Sequence, residues 1–131
     1  MSSMTQIVSE IKSLIDLERA CNRLGITLVR GKTEARYYGH KTVTCDHTIE
    51  IPRTAFDIAV KKRHDGTYVL SCDLYGPEGR VIADTCGKSL GLLKQAYAVE
   101  VAKSEARKKN MRVTEERKTD GRIRVKLKVV R

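Results

Sequence analysis

The chain of 131 residues contains no tryptophan, one phenylalanine and two prolines. With so little proline, no stretch reads as a linker, and the sequence shows no internal repeat and no low-complexity tract, so one domain over residues 1–131 is expected. A chain of this length buries roughly two-thirds of the surface it exposes when unfolded, so its core needs neither metal nor disulfide. Cysteine is scarce and scattered as Cys21, Cys45, Cys72 and Cys86, with no CxxC pair. That argues against a disulfide framework and against close-spaced zinc ligands, and it favours reduced, mostly buried thiols. No apolar run approaches about 18 residues, which excludes a membrane-crossing helix. The opening "MSSMTQIVSEIK" lacks both a basic leader and an unbroken apolar stretch, so a cytoplasmic protein with no membrane partner is expected.

What the sequence does have is positive charge in one place. Residues 101–131 hold 12 Lys/Arg against 4 Asp/Glu, which accounts for most of the net charge of +10. A field concentrated on one segment attracts polyanions and says little about fold.

Hydrophobic periodicity gives the elements. Ile7, Ile11, Leu14, Leu17, Cys21 and Leu24 recur at helical steps, although residues 5–12 also suit a strand; Gly25 stops the helix in either case. "ITLVR" (26–30) reads as a short strand. "TVTCDHTIEI" (42–51) alternates as one half-buried strand. Phe56, Ile58 and Val60 alternate in the next strand, and Tyr68, Leu70, Cys72 and Leu74 in the one after, with Asp65-Gly66 as the hairpin turn between them. "YGPEGR" (75–80) reads as a loop. Leu90, Leu93, Tyr97 and Val101 stripe a helix from about Ser89 to Lys109, with Ser89 near its cap and cations in its last turns. A closing hairpin turns at Asp120-Gly121, with Met111 and Val113 inward on one arm and Ile123, Val125, Leu127 and Val129 inward on the other. The class is α+β: an antiparallel sheet with two helices on one face.

No catalytic constellation emerges. "CGKS" (86–89) ends like a phosphate-binding loop, but the full motif needs glycine where Ile82 stands, leaving at most a phosphate contact by Gly87, Lys88 and the following helix amides. Cys45 and His47 share a strand face, with His40 just before them and Cys72 on another strand. No close-spaced pair supports a zinc site there, and the two residues are equally weak as a nucleophile and base. Asp46, Glu50, Asp57 and Asp73 read as solvent-facing strand positions. We expect no enzymatic activity, no metal and no cofactor.

Basic residues near aromatics are more informative. Arg122, Arg124, Lys126 and Lys128 stand on one face of the last strand about 6.5–7 Å apart, a stride close to that of phosphates in an extended single strand. Arg112 projects from the paired strand, and Lys108 and Lys109 close the preceding helix. "ARYYGHK" (35–41) reads as a loop whose Arg36, Tyr37, Tyr38, His40 and Lys41 suit stacking on bases and holding phosphates. "KKR" (61–63) forms another basic corner. The competing reading of the stripe is the wet side of an edge strand, charged against aggregation, with Glu115 and Glu116 neutralising part of it.

The pieces "TQIVSEIKS", "LERACNRLG", "KTVTCDHTIEIP", "FDIAVKK", "GTYVLSCDLYG", "QAYAVEVAKSEARKKNMRV" and "DGRIRVKLKVV" resemble a small uncharacterised family known from a conserved open reading frame of cyanobacteria and plastids, with relatives in other bacteria and in phages. The resemblance implies a strand before the first helix and the order β-α-β-β-β-β-α-β-β. The chain departs from that pattern in its more basic end and in having no tryptophan after "DLYG".

Three functions are therefore expected candidates. The first is a nucleic-acid-binding module that reads phosphates with little sequence preference. The second is a protein that captures a nucleotide or cyclic dinucleotide, at a homo-oligomer interface lined by "ARYYGHK" and the basic strand. The third, implied by the resemblance alone, is an accessory subunit docking an AAA-type ATPase or another acidic protein.

Overall fold

Alternating apolar residues build strands here, and the stripes at three- and four-residue steps build helices that cover them. The computed structural model describes residues 4–129, without the side chains of residues 8–10 and 129, so the inward placing expected of Val129 lies outside the described residues. The elements run β1 (Thr5–Ile11), α1 (Leu14–Arg23), β2 (Thr27–Arg30), β3 (Glu34–Tyr37), β4 (Lys41–Thr44), β5 (His47–Glu50), β6 (Asp57–Lys62), β7 (Tyr68–Cys72), α2 (Gly76–Cys86), α3 (Gly91–Lys108), β8 (Met111–Arg117) and β9 (Ile123–Val129). The α+β class and the antiparallel sheet expected from the sequence are present, and the order of elements agrees broadly with the one expected.

Five strands pair in the order β1-β7-β6-β5-β2, every neighbour antiparallel. The open choice at residues 5–12 resolves as strand, with β1 pairing β7 at the sheet edge and its register breaking between Ile7 and Ile11. Ser13 caps α1 by accepting the Asp16 N–H at 3.1 Å. Gly25, at φ 72, ends the helix.

Successive residues of β6 point to opposite faces, and both faces are covered. Ile58 and Val60 join the main core with Leu17, Leu70, Ile82 and Leu93, beneath the helices, whereas Ala59 joins a small second core with Ala35 and Cys45. That second cover is the β3–β4 hairpin, which forms its own two-stranded sheet. "ARYYGHK" is thus a hairpin tip and not a loop: Tyr38–His40 is a 3₁₀ turn between β3 and β4. The single strand expected over 42–51 is two, because the chain bends at Cys45–Asp46 as it leaves the small sheet for the large one.

The segment expected as a loop at 75–80 opens α2. Pro77 sits in the first turn, where a missing N–H costs nothing. Gly79 lets the helix touch the preceding backbone, since a Cβ there would lie 2.1 Å from the Leu74 carbonyl carbon. Glu78 ties the turn down by accepting the Ala55 N–H at 2.6 Å. Between α2 and α3, Ser89 and Leu90 take positive φ (52 and 59); Ser89 stands next to the α3 cap, Leu90, as expected, and the cap has no side-chain hydrogen bond.

Candidate nucleic-acid interface

The C-terminal hairpin is a second two-stranded sheet, separate from the main one. It leaves α3 through a sharp turn at Asn110, φ 53. At its tip Gly121 takes φ 88, and Asp120 accepts both the backbone N–H (3.0 Å) and the Nε–H (2.7 Å) of Arg122. Register then decides the faces. Arg112 stands opposite Lys128, Thr114 opposite Lys126, and Glu116 opposite Arg124; between them Val113 faces Leu127, Glu115 faces Val125 and Arg117 faces Ile123.

The second set lies toward the helices. Val113, Val125 and Ile123 are half-buried, and Leu127 is half exposed. Glu115 docks this face: its carboxylate accepts from Arg23 of α1 at 2.6 Å and from Lys103 of α3. Arg23 and Lys103 together hold the Glu115 carboxyl down at about 2, Arg23 contributing most. Glu115, expected to dilute the basic stripe, is therefore turned away from it.

The other set faces water. Arg112, Arg124, Lys126 and Lys128 are all exposed, as the alternation implied. Lys126 meets Glu116 at 3.2 Å, and Arg122 meets Asp120. Among the described residues no carboxylate lies within ion-pair distance of Arg112, Arg124 or Lys128. At the foot of the hairpin Lys109 is exposed, and Lys108 pairs with Glu105 at 3.4 Å.

The aromatic half of the expected site is elsewhere. The β3–β4 hairpin lies on the sheet face opposite the helices, and the β8–β9 hairpin rests on α3, with Glu115 reaching Arg23 of α1, so one chain does not bring the two together. Arg36 is also committed internally. Its Nε and Nη2 donate to the two oxygens of Asp57 at 2.9 and 2.8 Å, and its backbone N–H donates to the same carboxylate. Asp57 and Asp73 are fully buried, correcting their reading as solvent-facing positions: they lie on the face that β3–β4 covers. Asp73 accepts the N–H groups of Tyr38 (3.3 Å) and Tyr75 (3.0 Å), whose rings meet edge-on at 5.6 Å with half their surface exposed. Tyr75 was legible only as part of a loop, although Asp73, two residues before it, is the residue type that accepts an N–H two positions on. Beside this pair, Tyr37 is half-buried, and His40 and Lys41 are exposed.

Cys45 and Cys72 sit in different cores on the two sides of the sheet, and His47 accepts the Gly31 N–H at Nδ1. Among the described residues no three metal-ligating side chains gather. Lys88 is exposed beside Gly87, whose closeness to Leu92 serves the tight join between helices. No helix among the described residues is long and apolar enough to cross a membrane.

A family model covers most of this architecture, matching residues 20–126. The chain belongs to the DUF1257 family. That family is described as a protein of unknown function. The DUF1257 match takes in α2, α3, the tyrosine pair and the basic face as far as Lys126, and it leaves β1 outside. Neither the curated proteins nor the solved structures offer a match.

Proposed function

We propose that this protein is a non-enzymatic binding module that holds the phosphates of nucleic acid on the outer face of the β8–β9 hairpin. One observation carries the reading: Arg112 and Lys128 stand directly opposite each other on that face, with no carboxylate beside them among the described residues. Like charges in opposed positions weaken a sheet, and a bridging anion removes the penalty. Edge protection accounts for charge along both strands of this two-stranded sheet; it does not call for like charges set directly opposite each other, as Arg112 and Lys128 are. Arg124 and Lys126 extend the row; Arg122, expected on the strand, stands just before β9 at the hairpin tip, and Lys108 and Lys109 precede β8 at the foot. Phosphate contacts carry no sequence information, so the face itself is indifferent to sequence.

The test is a titration of labelled single- and double-stranded oligonucleotides at two salt concentrations. Micromolar or tighter binding, with log affinity falling linearly against log salt, is the expected result. Replacing Arg122, Arg124, Lys126 and Lys128 together by Ser should reduce the magnitude of that slope by about 3 and weaken binding at least tenfold, without changing the fold. Unchanged affinity in the folded variant overturns the reading.

A further inference from the structure

One end of the molecule holds a built cleft next to the basic hairpin. Ile11 and Lys62 both pair with Tyr68, which sets the row of strand ends there; Lys12 follows Ile11, and α3 finishes at the same end with Lys108. Between the start of α1 and the last turns of α3 lies a cleft of about 460 Å³. That is within the range of sites that hold small ligands.

Its polar groups are arranged by an unusual division of labour. Tyr97 Oη accepts the backbone N–H groups of Lys12 (2.9 Å) and Ser13 (3.1 Å). Capping boxes ordinarily use the acidic side chain three residues after the cap to satisfy the cap's own N–H. Here Tyr97 has taken that N–H, so Asp16 turns across to α3, where its Oδ1 accepts the Ser104 hydroxyl at 2.6 Å. Asp16 is only 5% exposed, and Oδ2 meets no donor among the described residues. No enclosed polar atom among those residues is left without a partner, so Oδ2 is reached from outside, through the cleft that Asp16 lines. Tyr97 Oη accepts twice, which leaves its O–H free to donate. Lys12, Val101, Glu105 and Lys108 complete the wall, with Lys108 paired to Glu105 at 3.4 Å and both of those side chains exposed.

We propose that this cleft receives a guanine base from the strand held by the hairpin, with the ring N1–H and 2-amino group donating to the Asp16 carboxylate and the adjoining phosphate resting on Lys12 and Lys108. A buried carboxylate with acceptor capacity to spare selects a base edge bearing adjacent donors. Guanine alone offers two side by side. Adenine and cytosine each set a ring acceptor beside their amino group, facing the carboxylate with like polarity. Thymine and uracil flank their one N–H with carbonyls. Lys108 lines the cleft and is followed at once by Lys109 at the foot of the hairpin, so the chain itself joins the cleft to the element that carries the phosphate row. The proposal rests on the phosphate-binding reading above and adds base preference to a face that has none.

The experiment compares single-stranded oligothymidine with the same oligomer carrying dispersed deoxyguanosine, and with deoxyinosine at those positions. The guanine oligomer should bind wild-type protein at least tenfold more tightly than oligothymidine, and inosine, which lacks the 2-amino group, should lose most of that gain. Asp16→Asn should abolish the preference and leave oligothymidine affinity within twofold; should that variant misfold, the inosine comparison on wild-type protein still decides. Equal binding of the guanine and thymidine oligomers overturns the pocket while leaving the phosphate row standing. If no oligonucleotide binds, the phosphate reading falls, and equilibrium dialysis with guanosine monophosphate decides the pocket: retention supports it and absence overturns it.

Discussion

Arg36 shows how a residue type that suits nucleic acid becomes structural. Its guanidinium is half exposed, yet both its bonds and its own N–H go to Asp57, which has no solvent contact. Removing one partner of such a pair leaves an uncompensated charge in the interior. Arg36→Ala should therefore cost about 3 kcal/mol in urea unfolding and leave oligonucleotide affinity of the folded protein unchanged. A loss of affinity without a loss of stability would return Arg36 to the binding surface. The alternation of "FDIAVKK" correctly separated Asp57 from Ile58 and Val60. It could not show what covers the second face, because periodicity tells which residues share a side and is silent on what lies against it. Asp73 was misplaced for the same reason.

Among the elements, the strands and the long helix were legible where apolar residues repeat, and the turns where Asp-Gly supplies positive φ. α2 was not legible, because Gly76, Pro77 and Gly79 are loop formers by composition. Pro77 is acceptable in a first helical turn, and Gly79 is there for contact with Leu74. Gly79→Ala should destabilise by about 3 kcal/mol, measured by thermal or urea denaturation, because the obstacle is backbone and cannot rotate away. The basic face was readable from alternation alone; its docking was not, since Arg23 and Glu115 meet only through the tertiary fold. Glu115 has a folded value of about 2 against 4.5 unfolded. Its contribution is therefore complete above about pH 4.5 and disappears as pH falls to about 2. Comparing wild type with Glu115→Gln by thermal melting should give a gap of about 1–2 kcal/mol at pH 6, after allowance for solvent screening, that closes toward pH 2. A constant gap over that range would refute the ion-pair account.

At the scale of the whole molecule, the thiols report on the integrity of the core. All four cysteines are free and buried, and burial pushes Cys21 and Cys72 up to about 12 and Cys86 to about 11. A thiol reagent reacts with thiolate, so native protein should label only as fast as it opens, and all four sites should label in denaturant. Rapid native labelling of Cys21, Cys72 or Cys86 would contradict the packing. Charge at this scale was legible in advance as a local excess. Its division between a water-facing row and a docked carboxylate came only from register, which a single strand does not encode.

The phenol of Tyr97 completes the start of α1 from 84 positions further along the chain. On a ribosome the junction between β1 and α1 therefore gains its two bonds to that phenol only after Tyr97 has emerged, late in synthesis.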